Sequence, residues 1–272
     1  MSDSISKEGD YVLGTEADEI ERLGLQHRVW RERVLDAWRR AGIGEGQTIV
    51  DVGAGPGWAS ADLAAIVGTG GRVVALERST SFLAAVRGRG LANVEVRAHD
   101  VSEEPFGDAF ADAAWCRWVL SFVEAPERTV GHVARALKPG GVAVFHEYAD
   151  YRAWQMMPPD AELDRFRSLV IQSWRDAGGE PDAALRLPSW LAAAGLEPVE
   201  VRPLVEIVGR EDFTWQWPAA FMAVGARRLA SLGYCTEEEA ERLGTVLERQ
   251  PPHARMVTPI VAEVTARRPS AP

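Results

Sequence analysis

The stretch Thr48-Ile49-Val50-Asp51-Val52-Gly53-Ala54-Gly55-Pro56-Gly57 constrains the fold of this chain more than any other. Ile49, Val50 and Val52 favour an extended strand and bracket a single acid, Asp51. Glycines 53, 55 and 57 make a tight turn, and Trp58-Ala59-Ser60-Ala61-Asp62-Leu63-Ala64 reads as the first turns of a helix. In an open α/β sheet such a junction lies at the carboxyl edge, where ligands bind. Glycine lets the backbone take positive φ and approach a ligand. The helix start offers N–H groups without intrahelical partners.

The dinucleotide fingerprint G-x-G-x-x-G would place a small residue at position 58, where helix packs on strand. Trp58 stands there instead. The pattern is D-x-G-x-G-x-G, with a carboxylate just before the first glycine. That acid suits a cationic or hydroxyl-bearing ligand better than a pyrophosphate.

Upstream, Ile20, Leu23, Trp30, Val34, Leu35 and Trp38 follow helical spacing from Thr15 to Ala41, and Thr15 with Asp18 forms an approximate capping box. Downstream, the spacing predicts helix 58–67, strand 72–76 ending in Glu77, helix 80–89 and strand 94–98 ending in His99-Asp100. A fourth strand follows within 109–118, then helix 126–137 and a fifth strand 142–147. This alternation implies a parallel sheet covered on both faces. Beyond residue 150 the rhythm changes to helices 160–177, 187–194, 215–232 and 236–249, with strands 196–208 and 256–265. The expectation is one domain over 1–272, with a helical lid at 1–41. Segments 150–180 and 210–250 read as helical insertions that cap the carboxyl edge.

With 30 Lys+Arg against 40 Asp+Glu, the net charge is −10. This disfavours nucleic acid and anionic membranes as partners, since both attract basic patches. The beginning MSDSISKEGD lacks the apolar core of a signal peptide, and no apolar run is long enough to span a bilayer. Cys116 and Cys235 form no C-x-x-C pattern, so neither a disulfide framework nor a metal site is expected. The expected location is cytoplasmic, as a monomer or homodimer.

Glu77 ends the second strand, where a carboxylate can accept bonds from vicinal ribose hydroxyls, and Arg78 follows it. Asp100 ends the third, where it can accept from an adenine amino group while the Val101 N–H donates to the ring. Arg117 and Trp118 leave the fourth strand towards the same cleft. On these residues the chain resembles the class I S-adenosylmethionine-dependent methyltransferases. Asp51–Gly57 matches the family's first motif, Glu77 its ribose-binding acid and His99-Asp100-Val101 its adenine-binding element. Leu137-Lys138-Pro139-Gly140-Gly141 matches the segment before the fifth strand.

The resemblance implies an α/β, Rossmann-like fold of seven mostly parallel strands, the last antiparallel, with helices on both faces and a helical cap. It implies S-adenosyl-L-methionine as cofactor, S-adenosyl-L-homocysteine as product and a small-molecule methyl acceptor. Tyr11-Val12-Leu13-Gly14 with Glu21-Arg22-Leu23 and Gln26 also looks like a small-molecule subgroup. By that likeness Tyr11, Arg22 and Gln26 hold the methionine end, with Arg22 pairing the carboxylate.

Methyl transfer from a sulfonium needs alignment and dehydration more than a fixed catalytic group. A base is needed only for an acceptor that arrives protonated. His146 and Glu147, at the end of the fifth strand, are the candidates for it, and His27 is a candidate substrate contact. Ten tryptophans, among them Trp115, Trp118, Trp154, Trp174, Trp215 and Trp217, suggest an apolar or planar acceptor. Three rival readings are a nicotinamide-dependent oxidoreductase, a non-catalytic cofactor-binding protein, and another reaction on a bound sulfonium. Trp58 and the lack of a hydride-transfer pair such as Tyr-x-x-x-Lys count against the oxidoreductase.

Overall fold

A computed structural model describes residues 17–270. Its strands are β1 (Thr48–Val52), β2 (Arg72–Glu77), β3 (Val94–Ala98), β4 (Ala111–Arg117), β5 (Leu137–Asp150), β6 (Gln155–Met157), β7 (Glu197–Leu204), β8 (Ile207–Val208), β9 (Arg255–Val257) and β10 (Ile260–Arg267). The helices are α1 (Ala17–Ala41), α2 (Trp58–Val67), α3 (Thr80–Gly88), α4 (Pro126–Ala136), α5 (Ala161–Asp176), α6 (Leu187–Ala193), α7 (Gln216–Ser231) and α8 (Glu237–Gly244).

The main sheet runs β3-β2-β1-β4-β5-β10-β7, with β10 antiparallel to both neighbours and the other six strands parallel. This is the expected seven-stranded arrangement. Strand alternation sends side chains to two cores. Ile49, Val73, Trp115 and Val144 pack under α1, α2 and the later helices. Val50, Val74, Cys116 and Phe145 pack against α4 and α6.

The reversal in strand order between β1 and β4 opens a crevice above their carboxyl ends. Helix α1 packs against α2, α7 and β5, and contributes Trp30 and Trp38 to the first of the two cores. Gly24 makes the approach to α2 close. A Cβ there would stand 2.9 Å from Cζ2 of Trp58, a ring that also carries the Arg89 guanidinium at 3.8 Å. Gly24→Val is therefore expected to cost about 1–3 kcal/mol in stability by overpacking. Urea denaturation measures this, and an unchanged midpoint would mean that α1 does not depend on this contact.

Four expectations need correction. The strand expected over 196–208 divides into β7 and β8, and that over 256–265 into β9 and β10. Pro259 has no N–H to continue a ladder, and Thr258 crosses to Glu206 through both its backbone N–H and its Oγ1, each bond 3.0 Å long. The detached pieces join β6 in a second antiparallel sheet, β6-β9-β8. The fifth strand starts at Leu137, not Val142, because Leu137 pairs with Ala111 and Val142 with Ala113 while Lys138–Gly141 bulges out. Helix α8 stops at Gly244, short of residue 249.

Among the described residues, no helix is long and apolar enough to cross a membrane, and no cluster of His, Cys, Asp or Glu is arranged to hold a metal ion.

Candidate functional site

A cleft of about 360 Å³ opens at the carboxyl ends of β1, β2 and β4. It brings together Gln26, Asp51, Gly53, Ala54, Gly55, Glu77, Arg78, Asp100, Val101, Arg117 and Trp118. Gly57 lies just behind, closing the turn with its N–H on the Ala54 carbonyl at 3.1 Å. Tyr11 and Thr15 lie outside the described residues.

The glycines do different work. At Gly53 (φ +65°) a Cβ would meet Val119 Cγ2 at 2.5 Å, so no side chain fits. At Gly55 (φ +55°) a Cβ would point into open space, leaving bare backbone facing the cleft. Glu77 fixes this turn. Its Oε2 accepts the Gly55 N–H, and its Oε1 accepts the N–H groups of Arg78 and Ser79, all at 2.8 Å. Burial raises the Glu77 carboxyl above its ordinary value in spite of these three donors.

Asp51 accepts from Ser60 Oγ at 2.5 Å, and burial pushes its carboxyl up to about 6. Asp100 accepts from the N–H and Oγ of Ser102 at 3.0 and 2.7 Å and faces Arg78 Nη1 at 3.5 Å. Burial works to raise Asp100, but the Ser102 bonds and Arg78 outweigh it and hold the carboxyl below the usual range.

Arg117 and the more exposed Arg78 are cations of the cleft. Burial lowers the Arg117 guanidinium to about 10, so it stays charged at neutral pH. It stands 5.1 Å from the Trp118 ring and donates from Nη2 to His27 Nδ1 at 3.3 Å. Among the described residues, its buried Nη1 has no hydrogen-bond partner. An orphaned buried donor is costly and calls for an acceptor. With three carboxylates at separate points, this pattern fits a ligand carrying one anionic group among cationic and hydroxyl groups. A pyrophosphate would meet too many acids.

A second pocket of only about 20 Å³, room for little more than a water molecule, shares Gln26, Trp118 and Phe122 with the cleft. Tyr148, Tyr151, Trp154, Trp174, Trp217 and Phe221 line it from β5, α5 and α7 and the segments beside them. Trp118 is stacked between Tyr148 and Trp217, with ring centroids at 5.4 and 5.7 Å. Its backbone is held at φ +51°, a conformation that costs a bulky residue about 1–3 kcal/mol and clusters at functional sites.

Arg22 lines this aromatic pocket and not the cleft. Its Nε and Nη2 donate to Glu19 at 2.6 Å each, and its Nη1 donates to Gln26 Oε1 at 3.0 Å. With the guanidinium committed to Glu19 and Gln26, Arg22 is not presented to the cleft, whereas Arg117 lines it.

His146 and Glu147 reach neither cavity, so the general-base expectation is corrected. Strand alternation puts them on opposite faces of β5. Glu147 is wholly buried and anchors the loop after β4. Its Oε1 accepts the Val119 and Leu120 N–H groups at 2.8 and 2.9 Å, and its Oε2 accepts Ser121 Oγ at 3.1 Å. His146 is buried against Trp115, 4.8 Å between ring centroids, with Nε2 3.0 Å from Glu263. Burial holds its imidazole below the ordinary value.

Leu23, Trp58 and Phe82 also line the cleft, although none of them stood among the residues expected there from sequence. Their apolar character matches ordinary core residues. Only the spacing of Leu23 from Gln26 on one helix face carried a signal.

A family model described as a methyltransferase domain matches residues 50–145. A demethylmenaquinone methyltransferase of Clavibacter sepedonicus is 31% identical over 179 residues, covering 58% of this chain and 69% of the relative. The chain spans about half the length of most of the curated relatives it matches. An S-adenosylmethionine-dependent methyltransferase structure from Mesorhizobium loti covers 82% of this chain and 92% of its own, with a TM-score of 0.52 at 20% identity. The [4+2]-cyclase SpnF covers 88% and 82%, with a TM-score of 0.55 at 21% identity. At such identities the two structures show the fold alone. With the Clavibacter relative, the strand order and the glycine turn with its acids in agreement, the chain belongs to the class I S-adenosylmethionine-dependent methyltransferases, and S-adenosylmethionine is its cofactor.

Proposed function

We propose that this protein methylates a small, planar, non-cationic acceptor held against the aromatic wall that the small pocket shares with the cofactor cleft. The observation that carries this reading is the shared wall: Gln26, Trp118 and Phe122 line both cavities. A cofactor in the cleft and an acceptor against this aromatic wall would thus be neighbours. The names of relatives such as demethylmenaquinone methyltransferase support an aromatic acceptor.

When bound, S-adenosylmethionine supplies a methyl group activated on a cationic sulfur. The residues of the chain hold and orient it. Arg117 Nη1 donates to the carboxylate and Asp51 faces the ammonium group. Glu77 accepts from the ribose hydroxyls, while Asp100 and Val101 take the adenine edge. Helix α1 is the lid, and α5, α7 and α8 form the cap that excludes water. Alignment and dehydration supply the rate enhancement.

Among the described residues, those lining the aromatic pocket include no histidine, carboxylate, lysine or cysteine. Tyr148 is kept protonated by burial, so it donates and is not a base. An acceptor that is already nucleophilic, such as an electron-rich ring carbon or an ionised phenol, suits this lining. Fold alone does not establish methyl transfer, because a cyclase shares it.

The test follows S-adenosylhomocysteine formation with a panel of planar quinols and phenols set against charged amines. Turnover of the planar set is expected, and Trp217→Ala should raise the acceptor KM about tenfold or more while cofactor affinity stays within about threefold. Turnover confined to charged amines would contradict the reading. Asp51 adds a pH dependence. Its carboxylate is charged above about 6 and neutral below. Cofactor affinity should therefore weaken as pH falls through 6, and affinity unchanged down to pH 5 would remove Asp51 from the ammonium contact.

A further inference from the structure

We infer that His27 is a positioning residue for the cofactor: its Nδ1 lone pair holds one arm of the Arg117 guanidinium, leaving the other arm for the cofactor carboxylate. The inference rests on the reading of the cleft given above and deepens it.

The warrant is geometric. His27 is buried on α1 and links two other elements. Its Nε2 lies 3.0 Å from Asp62 Oδ2 on α2, and its Nδ1 lies 3.3 Å from Arg117 Nη2 at the end of β4. A guanidinium can only donate. Nδ1 is therefore the acceptor, and the imidazole proton sits on Nε2, where Asp62 receives it. Asp62 is fixed in turn by Arg31, which donates from Nε and Nη2 at 2.7 and 3.0 Å. The chain Arg31–Asp62–His27–Arg117 runs from the surface to the cleft and selects one tautomer.

Without that acceptor, Arg117 is free to turn, and its orphaned Nη1 loses its fixed direction. Protonation of His27 does the same, setting N–H against N–H and one positive charge against another. Burial, then the Arg117 and Arg31 charges, hold the imidazole below its ordinary value, overcoming the opposing pull of Asp62. The other titratable groups around this junction are Asp51 on β1 and His146 and Tyr148 on β5. Asp51 also titrates and faces Arg117, so its effect must be separated from that of His27.

The test has two parts. Nitrogen NMR of the imidazole in the cofactor-free protein at pH 7.5 should show the Nε2–H tautomer, and an Nδ1–H tautomer would overturn the proposal without any variant. Calorimetric titration with S-adenosylmethionine between pH 5 and 8 then compares the wild type with His27→Asn and His27→Leu. Asn offers an acceptor near the Nδ1 position and does not titrate. Its affinity should stay within about threefold of wild type at pH 7.5. The Asp51 titration remains in both. Leu should weaken binding by about tenfold or more at pH 7.5. Binding by the Leu variant equal to wild type would sink the His27 role alone, whereas no binding by wild type would sink the reading of the cleft.

Discussion

Glu147→Ala is expected to lower the unfolding free energy by about 3–5 kcal/mol, the loss typical of removing one partner from a buried charged network. Its carboxylate is the acceptor for two backbone N–H groups and a hydroxyl in the loop after β4. Each donor left buried without a partner costs about 1–3 kcal/mol. That loop carries Val119 and Phe122 of the cleft wall, so the variant should also bind cofactor weakly. Glu147→Gln separates an anchor from a base. Gln can accept the same two N–H groups through Oε1, and its amide can donate to Ser121 Oγ, so stability should fall by less than about 1.5 kcal/mol. A general base would lose turnover on the same substitution. Burial pushes the Glu147 carboxyl up to about 7, from an ordinary 4.5. A raised value means that the folded state holds the proton longer than the unfolded one. The associated stability is fully present below about 4.5 and is lost as pH rises through 7. The Gln variant should lack that slope in urea denaturation followed between pH 4 and 8.

Arg117→Met is expected to change affinity and stability in opposite directions. Hydrogen bonds to a charged group are worth about 1.5–3 kcal/mol, so S-adenosylmethionine affinity should fall roughly 10–100-fold. The cofactor-free protein should be as stable as wild type or more so. Met removes a buried guanidinium whose Nη1 has no partner, and well-packed apolar replacements of buried charges are often neutral or stabilising. Asp51 loses a neighbouring positive charge in the variant and should titrate above 6. Calorimetry and thermal unfolding check the two effects. Lower stability with unchanged affinity would mean that Arg117 is part of the core and not of the cofactor site.

The sheet was legible because its strands are short, apolar and bounded by glycine turns, and because Asp51, Glu77 and Asp100 each end a strand. The division of the last two long strands was harder to read. It depends on the Thr258–Glu206 bridge between segments about fifty residues apart in the chain. The choice between Arg22 and Arg117 turned on pairing. Glu19, one helical turn before Arg22, was a visible signal that this guanidinium is occupied. The proposed role of Arg117 rests on a buried Nη1 without a partner among the described residues, which no local pattern reveals. Alternation along β5 already implied that His146 and Glu147 could not both face one cleft. Which face meets the loop after β4 followed only from the folded chain.

The most direct measurement is calorimetric titration of the purified protein with S-adenosylmethionine and, separately, with NAD. The account predicts binding of the sulfonium with a Kd on the order of micromolar, about 8 kcal/mol, and no heat with NAD. Well-folded protein that binds NAD, or that does not bind S-adenosylmethionine, would contradict it.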